Sequence, residues 1–364
     1  MKILFLNWKD SHHPLAGGAE EFTVNLLSRF AAMGHEVTWF TSMYDIARRS
    51  SVEGGIHYIR SGNIYSVHAH AKRYLSTLAP SERPDIVVDE VNTRPFDPSK
   101  SLPPGIPVVN LIHQLAREIW WTEVPFPLAL VGRYWLEKRW LRAISTHPTI
   151  TISASTRQDL LALGFRNVKI VHVALTEIPA SLELSKPEPP HLLFVGRLTR
   201  GKKARDAIEA FVALRKRVDC LMTVAGDGPL LGELTRRYGD VAHFTGHVDN
   251  ETKKRLFRDA SVLLVPGTRE GWGIVVLEAQ SYGAIPVVYD VPGLRDAVDF
   301  GRSGVLVPGV SPMSMAQAVG DLLLDQARRT QLAQEGWKWC QQFTYEVATR
   351  EFLRYLTDPE FLGS

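Results

Sequence analysis

The chain has 364 residues, 45% of them hydrophobic and 22% charged, with a formal net charge of +3. That length favours two domains over one, the composition is that of an ordinary globular protein, and the charge is too small to point to nucleic acid. Two cysteines, Cys220 and Cys340, without a CxxC or a paired histidine, give no sign of zinc, and the lack of any run of about 18 apolar residues leaves no expected membrane span.

Lys2–Leu6 reads as a buried first strand, too short for a signal-peptide core and followed closely by Lys9 and Asp10. The expected location is therefore cytoplasmic. The next loop ends in Ala16-Gly17-Gly18-Ala19-Glu20 and opens a helix. Phe22, Leu26 and Phe30 line one face of it, and Gly34 ends it. Gly17 and Gly18 at a helix start would let backbone approach a phosphate closely. His35–Phe40 is expected as a strand, as is Ile86–Val88. Asp89, Glu90 and Asn92 follow the latter, either facing a cleft or serving as surface loop residues. The apolar run Val108–Ile112 ends at His113; a strand-end histidine is commonly a satisfied hydrogen-bonding group.

Residues 119–144 combine Trp120, Trp121, Phe126, Tyr134, Trp135 and Trp140 with Arg117, Arg133, Lys138, Arg139 and Arg142 in and beside the segment. Packing of these aromatics in the core of their own domain is the favoured reading. Peripheral contact with a membrane interface, or with a lipid-linked molecule, is the alternative.

Residues 179–190 hold four prolines in twelve positions and mark a linker. It divides a domain over 1–178 from a second over 191–343. The second opens as the first does. His191–Val195 is a strand, Gly196–Lys203 a loop, and Asp206–Arg217 a helix with Ile208, Phe211 and Leu214 toward the core; Cys220–Ala225 is the next strand. Such alternation predicts parallel sheets covered on both faces. Gly226-Asp227-Gly228-Pro229 only superficially resembles a dinucleotide fingerprint, since Pro229 interrupts it and the third glycine, Gly232, comes one position late. A dehydrogenase is accordingly not expected. An amphipathic helix is expected around Thr344–Thr357.

The most informative stretch is Glu270-Gly271-Trp272-Gly273-Ile274-Val275-Val276-Leu277-Glu278. It follows the strand Val262–Val265 and the turn 266–269, and it spans the opening of a helix that Gly283 stops. Free N–H groups at a helix start favour an anion, yet two carboxylates there would repel a bare phosphate. A nucleotide sugar reconciles the two, with phosphates toward the N–H groups and hydroxyls donating to the carboxylates. The bland alternative is that Glu278 merely solvates a helix face.

This spacing of glutamates, with Gly-aromatic-Gly between them and Gly283-Ala284-Ile285-Pro286-Val287-Val288 behind, resembles the signature of the family-four retaining glycosyltransferases (group 1 type). The resemblance covers nearly the whole chain. It implies the GT-B fold: an α/β protein of two Rossmann-like domains whose parallel sheets face each other across a cleft, with the C-terminal helix (about 344–364) crossing back onto the first domain. It also implies a metal-independent transfer of a hexose from a nucleoside-diphosphate sugar, UDP- or GDP-linked, to a hydroxyl of a glycan, glycolipid or small molecule. No cofactor is expected beyond that donor, and no Asp-x-Asp metal motif is evident. By the same resemblance Arg197 and Lys202 hold the pyrophosphate, aided by Gly196, Gly17 and Gly18. Glu270 and His113 contact the hexose, Glu278 the ribose, and the backbone of Gly271, Trp272, Gly273 and Ile274 the hexose and diphosphate. His247 and Val248 lie near the base, and Asp227 lines the site. Asp89, Glu90 and Asn92 fall on the acceptor side.

Two departures stand out. Lys203 occupies a position usually held by glycine, so the loop has another shape or the extra cation reaches the donor. Leu175 stands where asparagine is common. A sugar-nucleotide epimerase, a phosphorylase and a non-catalytic sugar-nucleotide-binding subunit are the alternatives.

Overall fold

The computed structural model describes residues 1–45 and 47–363, with Thr122 and Glu123 by their backbone alone. Ser364, the last residue of the expected C-terminal segment, lies outside the described residues. The chain forms two compact units. One comprises Met1–Arg117, Leu130–Ala174 and Tyr345–Ser364, the other Glu118–Ala129 and Leu175–Thr344. Residues 118–129 thus group with the second unit, and the division falls at 174/175 rather than within the proline-rich stretch.

The first unit is built on eight strands: β1 (Lys2–Leu6), β2 (Glu36–Thr41), β3 (Ser50–Glu53), β4 (Ile56–Arg60), β5 (Ile86–Glu90), β6 (Val108–Ile112), β7 (Thr149–Thr151) and β8 (Val168–Ile170). Their order is β3-β4-β2-β1-β5-β6-β7-β8, parallel apart from the antiparallel β3–β4 pair. Side chains of β1 alternate between two covered faces, as a pleated strand requires. Leu4 and Leu6 pack with Val67, Ala71 and Leu75 of the helix Val67–Thr77. Phe5 points the other way, 6.1 Å from Phe352, which also lies 5.9 Å from Phe30 of the helix Gly18–Ala32. Phe352 belongs to the C-terminal helix Tyr345–Thr357, so that helix completes the core of the first unit.

The second unit holds β9 (His191–Val195), β10 (Leu221–Ala225), β11 (His243–Gly246), β12 (Val262–Val265), β13 (Ile285–Tyr289) and β14 (Val305–Val307). They form a parallel sheet in the order β11-β10-β9-β12-β13-β14. Counted from β9 this is the doubly wound order 3-2-1-4-5-6, which opens a crevice at the carboxyl ends of β9 and β12 where the winding reverses. The proline-rich stretch is fastened to this unit: Lys186 Nζ donates to the carbonyls of Arg258 (2.8 Å) and Tyr282 (2.7 Å).

Residues 119–144 correct the core-packing expectation. They form the short helix Ile119–Glu123, then Phe126–Val131, a π-helical turn Gly132–Leu136 and the helix Glu137–Ala143. Trp120 and Trp140 are half-buried, but Trp121, Phe126, Tyr134 and Trp135 are exposed, as are Leu128, Leu130 and Val131. Among the described residues no helix is long and apolar enough to cross a membrane.

Candidate active site

In the second unit the loops leaving β9 and β12 meet at the switch point. Thr268 N–H donates to Gly201 O at 2.9 Å, joining them directly. Lys202, from the first loop, sets its Nζ 2.5 Å from Glu270 Oε1 of the second. Arg197 is exposed, and its guanidinium has no ion pair among the described residues. The loop after β10 packs closely beneath: Leu198 N–H donates to Asp227 O at 2.8 Å, and a Cβ on Gly226 would lie 2.0 Å from Gly196 O. Only glycine permits that approach. Asp227 is exposed and accepts from the N–H of Gly228. His247 is exposed and Val248 half-buried just past β11.

The helix Ile274–Ser281 starts at the end of the β12 loop, capped by Gly273 in the left-handed region at φ +91°. Trp272 is buried, 5.2 Å from Phe343, so its ring belongs to the core and only its backbone remains near the helix start. Glu278, one turn into the helix, meets Lys253 Nζ at 2.7 Å. Lys253 comes from the helix Asn250–Asp259 and was not a sequence candidate. Arg269, buried, pairs with Glu118 at 2.5 Å and ties the returning 118–129 segment to this loop.

Lys203 resolves the first departure. It sits at φ +51°, ψ +40°, the left-handed conformation glycine would favour, as N-cap of the helix Ala204–Leu214. Its Nζ lies 3.5 Å from Asp206 Oδ2 and 5.6 Å from the Tyr289 ring. The loop therefore keeps a glycine-like backbone, and the extra cation is engaged by its own unit. Leu175 is buried, its N–H donating to Phe343 O at 2.8 Å.

The first unit carries a second cluster, at the carboxyl ends of β1, β5 and β6. His113 Nε2 is 3.0 Å from Glu90 Oε1, which also accepts from Thr23 Oγ1 at 2.8 Å. Glu20, buried, receives the N–H of Gly17 at 2.8 Å and lies 3.2 Å from Lys9 Nζ. Burial pushes the Glu20 carboxyl up, and Lys9 pulls it back. Glu20 is thus a capping residue at the N3 position, leaving Gly18 exposed at the helix start. Asn92 Nδ2 approaches Glu20 Oε1 at 3.4 Å.

Asp89 does not share this cluster. Its carboxylate is fully buried and accepts from the N–H groups of Phe96 (3.2 Å) and Asp97 (2.9 Å). Burial pushes it up to about 7 against those two hydrogen bonds. It fastens the loop after β5 instead of facing an acceptor, which corrects that expectation.

Two family comparisons divide the chain near the same boundary, after residue 174. Residues 16–174 match the family described as Glycosyltransferase Family 4, and residues 180–339 match Glycosyl transferases group 1. The chain belongs to the group 1 glycosyltransferases. It is 32% identical over 196 residues to a D-inositol 3-phosphate glycosyltransferase of Salinispora tropica, a match taking in 50% of this chain and 41% of that protein. The chain thus spans less than half the length of that relative. Among solved structures it resembles sucrose-phosphate synthase from Thermosynechococcus elongatus, with TM-score 0.78, 19% identity and all of both chains covered. It also resembles Anabaena HepE in complex with UDP-glucose, with TM-score 0.71, 16% identity, and 98% of this chain and 99% of that one covered. The two structural likenesses identify the fold as GT-B.

Proposed function

We propose that the protein is a retaining, metal-independent transferase that moves a hexose from a nucleoside-diphosphate sugar to a hydroxyl acceptor in the cytoplasm. The observation that carries this is the meeting of Arg197, Lys202, Glu270 and a helix N-terminus at the switch point of the second unit, with Glu278 one turn further along. UDP-glucose in the HepE complex supports the donor class.

In this reading the diphosphate displaces Glu270 from Lys202. Lys202 and Arg197 then offset the charge that grows on the departing phosphate, aided by the N–H groups at Gly271–Ile274. Glu270, released, accepts from hexose hydroxyls, and Glu278 from the ribose. His113, held by Glu90, hydrogen-bonds the hexose, and the departing phosphate takes the acceptor proton. Because the diphosphate, already doubly charged in the bound donor, gains a further negative charge as the glycosyl bond breaks, loss of Arg197 and Lys202 slows transfer more than it weakens donor binding.

The test is a thermal-shift panel of UDP, GDP, ADP and dTDP with their sugars, using Glu278→Ala as control. A ligand at about 100 times its Kd adds about 2.7 kcal/mol. A shift from one nucleotide class, lost in the variant, supports the site; no shift with any nucleotide rejects it. Turnover unaffected by EDTA, with the anomeric configuration of the donor kept in the product, supports the finer terms.

Peripheral membrane contact through residues 119–144 belongs to the same reading. Leu130, Val131, Tyr134 and Trp135 are exposed beside Lys138, Arg139 and Arg142, while Glu137 is buried. Apolar bodies with cationic tips suit an anionic interface. Co-sedimentation with phosphatidylglycerol vesicles, lost in Tyr134→Ser/Trp135→Ser, is the expected result; equal recovery of both proteins refutes the contact.

A further inference from the structure

A pocket of about 630 Å³ lies wholly within the first unit, away from the His113–Glu90 cluster but joined to it by the loop that leaves β5. Glu90 and Asn92 are at the near end of that loop. Arg94, Phe96 and Asp97 at its far end line the pocket, together with Lys72 of the helix Val67–Thr77 and Arg139 and Trp140 of the helix Glu137–Ala143. Its volume is that of a small-molecule site.

The charge in this pocket is one-sided. Lys72, Arg94, Lys100 and Arg139 converge on it from separate elements. The single lining acid, Asp97, is paired with Lys100. Among the described residues none of Lys72, Arg94 and Arg139 has a carboxylate partner. His68, stacked 4.3 Å from Phe96, is held below its usual range by burial, so it adds an aromatic wall rather than another charge. Its Nδ1 is buried without a hydrogen-bond partner among the described residues. Trp140 supplies an aromatic ring, with the Arg94 guanidinium 5.9 Å from its centroid.

Like charges gathered in a concave, partly apolar wall raise the local concentration of anions. Guanidinium groups match phosphate oxygens in pairs, and an aromatic ring offers a flat surface for the C–H face of a sugar or polyol ring. Ligands of parallel sheets bind at the carboxyl ends of strands, and the loop after β5 meets that condition. We propose that this pocket binds a phosphate-bearing sugar or polyol ring, the phosphate held by Lys72, Arg94 and Arg139 and the ring set against Trp140. The proposal stands on the pocket's own residues and does not rest on the transferase reading above. The phosphate can be carried by a soluble sugar phosphate or by a phosphoinositide headgroup, and the recognition chemistry is the same.

Isothermal titration of the full chain with glucose 6-phosphate, inorganic phosphate and glucose tests the soluble form. Co-sedimentation with vesicles of phosphatidylinositol against vesicles of phosphatidylglycerol at equal negative charge tests the lipid form. Lys72→Gln/Arg94→Gln changes two exposed side chains and is expected to fold, which UDP binding unchanged from wild type would verify. The expected result is saturable binding of glucose 6-phosphate or of phosphatidylinositol vesicles, at least tenfold weaker in the double variant, with no binding of glucose. Trp140→Phe should weaken glucose 6-phosphate more than inorganic phosphate. Binding to neither phosphate source, or equal binding by wild type and double variant, overturns the proposal. The two readings fail separately. Phosphate binding without any nucleotide binding removes the transferase reading alone, and nucleotide-dependent transfer to neutral sugars without phosphate binding removes the pocket alone.

Discussion

Lys203 offers a test in which backbone strain and side-chain contact predict opposite outcomes. An L-residue in the left-handed region costs about 1–2 kcal/mol. Glycine escapes that cost but gives up about 0.5–1 kcal/mol of extra chain entropy on folding. Lys203→Ala and Lys203→Gly both remove the Asp206 contact, which at 3.5 Å and with 27% and 20% of the side chains exposed contributes little. Both also remove the approach to the Tyr289 ring. They differ in the backbone term alone. The glycine variant should therefore be more stable than the alanine variant by about 0.5–1 kcal/mol, whereas at an ordinary helical position alanine leads by about 1 kcal/mol. Urea melts of both variants, compared at equal slope, read the sign directly. In a unit of this size a 1 kcal/mol change moves the midpoint by about 2–4 °C. A glycine variant less stable than the alanine variant would refute the left-handed assignment. Nucleotide affinity should stay within about twofold in both, because the Lys203 ammonium lies toward Asp206 and the Tyr289 ring; a tenfold loss in both would mean that the cation reaches the donor.

Three other outcomes follow from the same geometry. Gly293 lies at φ +84°, and a Cβ there would stand 2.1 Å from Glu270 O. Gly293→Ala should displace the segment bearing Glu270 and cut kcat/KM at least tenfold; kinetics like those of wild type would show that Glu270 has no role. Lys253→Met removes the partner that orients Glu278 and should raise the donor Kd by roughly three- to tenfold, read by titration, as expected for a lost charge-assisted hydrogen bond; an unchanged Kd would separate Glu278 from Lys253. Asp89, with its carboxyl raised from 3.8 to about 7, binds its proton more tightly folded than unfolded. As pH rises from about 4 the unfolded chain ionises first, so stability from this group is full at low pH and falls by about 4 kcal/mol on reaching pH 7. Asp89→Asn should remove that slope, and urea-derived stabilities at pH 4.5 and 7.5 that change equally in both proteins would exclude it.

What the sequence disclosed, and what it hid, divides on whether a contact is local. Val108–Ile112 and Val262–Val265 read as strands because a strand covered on both faces is mostly apolar, with Asn110 the one polar residue in the two. The same double coverage hid the direction of Asp89, since every residue of β5 is buried and alternation carries no signal there. β3 escaped notice because it is an exposed edge strand, Ser-Ser-Val-Glu, with little apolar content. Glu270 and Glu278 were legible through the glycines that shape the loop around them. Lys253 was not, because its role depends on the winding that lays its helix beside the helix bearing Glu278, 25 residues away. Glu20 could have been found: a glutamate at the third helical position commonly turns back to accept the N-cap N–H, here that of Gly17, although glycine has no side chain to complete the reciprocal box. The aromatic segment misled for a different reason. Tryptophan and tyrosine favour burial, but here Glu137 is the residue turned inward, its carboxylate accepting the N–H groups of Ala116 (2.6 Å) and Arg117 (3.0 Å). A carboxylate buried by two backbone donors fixes the rotation of its helix, and that rotation carries Tyr134 and Trp135 outward. Exposure of those rings is thus bound to the position of Glu137, which couples the proposed membrane face to the same turn after β6 that begins at His113.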